Sequence, residues 1–188
     1  MITPNQLTIF RIILALICPA ILIHERSLTN EIIVTVLFSV ACFTDWWDGH
    51  LARKHGMITS LGKIADPIAD KLMTIGLLAT FAYLELFGFE WVIIILVREV
   101  AVTVARFIKL RNGKVLPAES AGKIKVGFQI GSIYAALIFL MLFDSKLFFE
   151  PEPYFLFVFQ SLYYIGIFTA VLMTLISGII FFQRYDTP

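Results

Sequence analysis

The 188-residue chain has the length of one domain, yet 59% of its residues are hydrophobic and its mean hydropathy is +0.87. Those values exclude an ordinary water-soluble domain of this size. The net charge of +1 conceals an uneven distribution of Lys and Arg, and that distribution carries the topology.

Runs of about 20 apolar residues cross a bilayer core of roughly 30 Å as helices, and the sequence divides into such runs at 6–24, 31–52, 63–86, 89–110, 120–143 and 155–183. The expected fold is an all-α integral membrane protein, a six-transmembrane-helix bundle forming one domain over 1–188. The first run carries Arg11, and no small-residue cleavage site follows before the polar His24-Glu25-Arg26 segment. It reads as a retained span rather than a signal peptide. Cys18 and Cys42, in the first two runs, lack CxxC spacing or a neighbouring His and read as packing residues. The fourth run ends in a basic segment broken by Gly113 and Pro117, and Glu150-Pro151-Glu152-Pro153 separates the fifth from the sixth. Trp46, Trp47, Trp91, Tyr154, Tyr163 and Tyr164 read as headgroup anchors or packing residues.

Arg53, Lys54 and Lys63 flank one connection, Lys109, Arg111, Lys114, Lys123 and Lys125 crowd another, and Arg184 follows the last run. The alternate connections hold Glu25, Glu31, Glu85, Glu90, Asp144, Glu150 and Glu152 against Arg26 and Lys146 alone. Cationic loops stay in the cytoplasm, so both termini are expected there, in a cytoplasmic (inner) membrane.

Asp45 and Asp48 close the second run, and Asp66 and Asp70 open the third. Spacings of three and four residues put each pair on one helix face, with Cβ atoms about 5–6 Å apart, and the intervening hairpin returns all four to one depth. An Asp in mid-span costs roughly 3 kcal/mol, less toward the interface. Neighbouring carboxylates add about 3 kcal/mol per pair at an effective dielectric near 20. Lys71 and Arg53 are too few to compensate, whereas a hard divalent cation suits an all-oxygen donor set, with Mg²⁺ or Mn²⁺ favoured over zinc. The bland alternative is a polar cluster that ties helices together through Asp–Lys and Asp–Arg pairs.

The segment reads Asp45-x2-Asp48-Gly49-x2-Ala52-Arg53-x8-Gly62-x3-Asp66-x3-Asp70, and it resembles, at every fixed position, the defining motif of the CDP-alcohol phosphotransferase family. That resemblance implies a metal-dependent transferase, with Asp45, Asp48, Asp66 and Asp70 holding two divalent ions and Asp70 also serving as the base that takes the acceptor's proton. It further implies that Gly49, Ala52, Arg53 and Gly62, with Asn5, Thr8 and Thr59, line the site for the CDP-lipid. A homodimer is implied as well, and no nucleic-acid partner.

Within the family, Pro4 to Arg11, Asp66 to Lys71, Arg98-Glu99 and Gly122 to Lys125 are similar to the branch that transfers a phosphatidyl group from CDP-diacylglycerol to glycerol 3-phosphate. An anionic acceptor needs cations beyond the metals, and Arg106, Lys123 and, less well oriented, Lys125 are the candidates for its phosphate. Arg98 lies about 20 Å along the fourth helix from its basic end and reads as a structural residue, paired with Glu99 or with another helix. The competing readings are the same chemistry on phosphatidylglycerol, inositol phosphate or serine, an intramembrane prenyltransferase, and a metal-ion transporter.

Overall fold

The computed structural model describes residues 4–55, 62–111, 120–145 and 152–185; within them, the side chains at 48–55, 62–68, 70 and 120–123, among others, lie outside the described residues. Six helices run through the described chain: α1 (Pro4–His24), α2 (Leu28–His55), α3 (Gly62–Tyr83), α4 (Phe89–Arg111), α5 (Ser120–Asp144) and α6 (Pro153–Tyr185). Each apolar run has become one helix.

Two of the three largest departures from the expected ends, the start of α2 and the end of α3, have local causes; the third is α2 running on to His55. α2 begins at Leu28 rather than near residue 31 because Ser27 caps it: the Asn30 N–H donates to the Ser27 hydroxyl at 3.3 Å. α3 stops at Tyr83 rather than near residue 86 because the chain reverses there. The Leu86 N–H donates to the Phe81 carbonyl at 3.0 Å, the Glu85 N–H donates to that of Ala82 at 3.1 Å, and Glu85 takes a left-handed φ of 63°. This is a Schellman closure, and buried Leu86 and Phe81 share the core beneath it.

Glycine normally fills the left-handed position, where a Cβ costs roughly 1–2 kcal/mol. Glu85 is exposed. Glu85→Gly is therefore expected to stabilise the detergent-solubilised protein by about 1 kcal/mol, read as a higher thermal midpoint. A lower midpoint would contradict the strain assigned to this turn.

α1 packs on both α2 and α3, α5 lies along α6 and also touches α2 and α3, and α4 bridges α3 and α6. The core between them contains Leu14, Cys18, Leu22, Phe38, Leu77, Phe81, Ile133, Leu137 and Tyr163. Small residues let the backbones approach, as is usual where lipid offers no hydrophobic drive for association. A Cβ on Gly166 of α6 would stand 2.9 Å from the Ser132 Cβ of α5, and one on Gly76 of α3 would meet the Ala15 carbonyl of α1 at 3.5 Å.

The outward faces are apolar as well, with Ile9, Leu16, Phe43, Val97, Phe157 and Ile165 all exposed. Apolar side chains both inside and out describe a bundle whose solvent is lipid, and the protein is a multi-pass membrane protein. Among the described residues, Leu28–Asp45, Ile124–Asp144 and Pro153–Gln183 are long and apolar enough to span, while Thr8–His24 and Lys71–Tyr83 are shorter apolar stretches. α4 has its apolar run interrupted by Arg98 and Glu99 at mid-length.

The end of α2 remote from its aspartates is closed by a polar tie. Arg26 donates to Asp144 at 2.9 Å and lies 5.7 Å from the centre of the Phe143 ring, joining the α1–α2 connection to the end of α5. Fully buried Glu31 adjoins Asp144 there.

Candidate active site

α2 stays helical for ten residues past Asp45, to His55. With 3.6 residues per turn, Asp45, Asp48, Gly49 and Ala52 then share one face. On α3, which opens at Gly62, the same period aligns Gly62, Asp66 and Asp70. Each half of the motif therefore sets its aspartate positions and its glycine or alanine positions along one side of its helix.

Asp45 is the motif aspartate whose side chain is described; those of Asp48, Asp66, Asp70, Arg53 and Lys123 lie outside the described residues, as does Thr59 entirely. The Asp45 carboxylate is 49% exposed and accepts from Nη1 of Arg11 on α1. Arg11 is itself buried, and buried Thr8 stands one turn before it on the same face of α1. Because α1 packs on both α2 and α3, this face lies against the two helices that carry the motif.

Immediately after Asp70, Lys71 turns toward α4. Its ammonium donates to the Thr103 hydroxyl and to the Glu99 carbonyl at 3.2 Å, and lies 3.4 Å from the Glu99 carboxylate. Lys125 of α5 is buried and pairs with the same carboxylate, as does Arg98 at 3.0 Å. The expected Arg98–Glu99 pair is thus present, within a larger cluster that also takes in Ser177 of α6, which accepts from Arg98 at 2.8 Å. Arg106 is apart from it: exposed, with its guanidinium 5.5 Å from the centre of the Phe181 ring. Among the acceptor-phosphate candidates, Lys125 faces Glu99 while Arg106 faces α6.

A row of carboxylates followed directly by cations suits an anionic, phosphate-bearing substrate held through metal. The comparison with known proteins agrees, since residues 1–176 match the profile of the CDP-alcohol phosphatidyltransferases. The chain belongs to this family. It is a CDP-alcohol phosphatidyltransferase enzyme, and the prenyltransferase and ion-transporter readings fall away.

The enzyme is 32% identical to the CDP-diacylglycerol–glycerol-3-phosphate 3-phosphatidyltransferase of Bacillus subtilis, over 96% of this chain and 93% of the relative. It is 34% identical to a probable phosphatidylglycerophosphate synthase of Mycobacterium tuberculosis, over 69% of this chain and 62% of that protein. A relative from Mycoplasma pneumoniae with the same name as the Bacillus protein is 30% identical over 69% of this chain.

Sequence reasoning missed two groups in this phosphatidyltransferase. Arg11 was used to argue against a signal peptide and as part of the Pro4 to Arg11 resemblance but given no role at the site, although a cation inside an apolar span is itself a functional signal. Glu99 was considered only as a partner for Arg98, because nothing local pairs it with lysines on α3 and α5.

Proposed function

We propose that this enzyme transfers the phosphatidyl group of CDP-diacylglycerol to glycerol 3-phosphate, giving phosphatidylglycerophosphate and CMP. The observation that carries the reading is near full-length similarity to the Bacillus enzyme of that activity, in a chain that keeps the complete motif from Asp45 to Asp70.

Asp45, Asp48, Asp66 and Asp70 would hold Mg²⁺ or Mn²⁺, two ions by the family pattern. The fit rests on the donor set: an oxygen-only group on two helices, in register for one face each, suits hard cations. Bound metal would neutralise the diphosphate and the charge that develops on the departing CMP.

The protein's own residues do the rest. Asp70 accepts the proton of the acceptor hydroxyl as its oxygen attacks the phosphorus that carries the diacylglycerol; the bond from that phosphorus to the CMP phosphate breaks, and CMP leaves. Asn5, Thr8, Arg53 and Thr59 bind the CDP headgroup, and Gly49, Ala52 and Gly62 leave space for it. Arg106, Lys123 and Lys125 supply positive charge for the acceptor's phosphate.

The donor is half nucleotide and half lipid, so the site opens to the cytoplasm and admits acyl chains sideways from the inner leaflet. The alternating Lys and Arg distribution supports that orientation, with both termini cytoplasmic in the inner membrane. We assign the enzyme a homodimeric state by family pattern.

The test is CMP release by purified protein given CDP-diacylglycerol and one acceptor at a time. Release with glycerol 3-phosphate is expected. Release with phosphatidylglycerol, inositol phosphate or serine, and none with glycerol 3-phosphate, would replace the acceptor named here.

A further inference from the structure

The cluster around Glu99 has more cations than a structural tie requires. Glu99 lies at the middle of α4 and is 6% exposed. Its Oε1 accepts from Arg98 at 3.0 Å and from Lys125, and its Oε2 lies 3.4 Å from the Lys71 ammonium. Three cations face one carboxylate, so the cluster carries 3 − 1 = 2 surplus positive charges, and among the described residues no second acidic group pairs with it.

Bringing three like charges together inside a membrane bundle is costly, and a helix-to-helix tie needs one cation rather than three. The surplus is explained if an anion completes the cluster during turnover. The three cations differ in access. Lys125 and Arg98 have side chains 5% and 12% exposed, while that of Lys71 is 29% exposed and follows Asp70 directly.

Adjacent residues on a helix project about 100° apart. Lys71, which meets α4, is therefore the next position in the chain after the aspartate proposed as base, at a different angle around α3.

We propose that Glu99 is a positioning residue for the acceptor subsite, holding the Lys71 ammonium, with Lys125 and Arg98 behind it, where the acceptor's phosphate docks. The inference rests on the phosphate-bearing acceptor proposed above. Glu99 touches no reacting atom; it acts by fixing Lys71, whose other anchors are the Thr103 hydroxyl and the Glu99 carbonyl.

The experiment measures KM for glycerol 3-phosphate, KM for CDP-diacylglycerol, and inhibition by inorganic phosphate in the wild type, Glu99→Gln, Lys71→Met and the double variant. Each single substitution is expected to raise KM for glycerol 3-phosphate about tenfold and to weaken phosphate inhibition in parallel, with KM for CDP-diacylglycerol within about twofold. The double variant should be no worse than the weaker single, because the two residues act as one unit.

Equal changes in both KM values, or a lower thermal midpoint with neither KM moved, would make Glu99 a structural residue and overturn the proposal. Lys71→Met guards against a Glu99 variant that does not fold, since Lys71 is more exposed and its loss must give the same split. Wild-type turnover with another phosphate-bearing acceptor would refute the glycerol 3-phosphate reading alone, and the same KM split on that acceptor would still support Glu99. Wild-type turnover only with acceptors lacking phosphate would overturn both.

Discussion

Asp70→Asn is expected to reduce CMP release from CDP-diacylglycerol by at least about 10³-fold while keeping much of the metal affinity, and Asp45→Asn to lose both. Removing a positioned base costs typically 10²–10⁴-fold, and asparagine retains an oxygen that can still face a cation. Asp45 stands at the other end of the motif, on α2, with no proton-accepting duty assigned to it. Its replacement takes charge from the proposed metal site, so Mg²⁺ binding by calorimetry should weaken together with nucleotide binding. Chelation of wild-type protein should abolish turnover, and Mg²⁺ or Mn²⁺ should restore it. Equal loss of metal from the two variants would remove the division of labour between Asp45 and Asp70.

The second large effect is expected at Arg11. This buried side chain of α1 donates to Asp45, so it holds a proposed metal ligand from outside the motif. Partners that orient a metal ligand typically contribute 10–100-fold to affinity or activity. Arg11→Met should therefore lower turnover by roughly that factor and raise the half-saturating Mg²⁺ concentration, with methionine retaining much of the apolar stem's packing. Arg11→Lys should recover only part of the loss, because an ammonium does not reproduce the reach and planar geometry of guanidinium. A lower thermal midpoint with unchanged Mg²⁺ dependence would restrict Arg11 to holding α1 against α2.

Much of the fold was legible because its determinants are local. Hydropathy over about 20 residues marks a span wherever it lies in the chain, and all of the expected runs became helices. The errors at their ends came from chemistry hydropathy does not weigh: the Ser27 cap that starts α2 early, and the left-handed Glu85 that ends α3 early. The family was equally legible, because the motif that points to it occupies two adjoining helices at fixed helical spacings. Arg106 shows the limit: it was chosen for its depth along α4, and depth does not fix that its guanidinium lies over Phe181 of α6.

By itself, then, the sequence determined that the protein is a helical membrane bundle and that the four aspartates proposed as its chemical centre fall on two successive helices. Periodicity and hydropathy suffice for both, since each is set within one hairpin. Only the tertiary structure decided that Arg11 meets Asp45 across 34 residues, and that Glu99 gathers Lys71 and Lys125 from 28 and 26 residues away. A helix's sequence fixes the angle between its own side chains. How that helix is turned against its neighbours is settled by packing, as at the Gly166–Ser132 approach of α6 to α5.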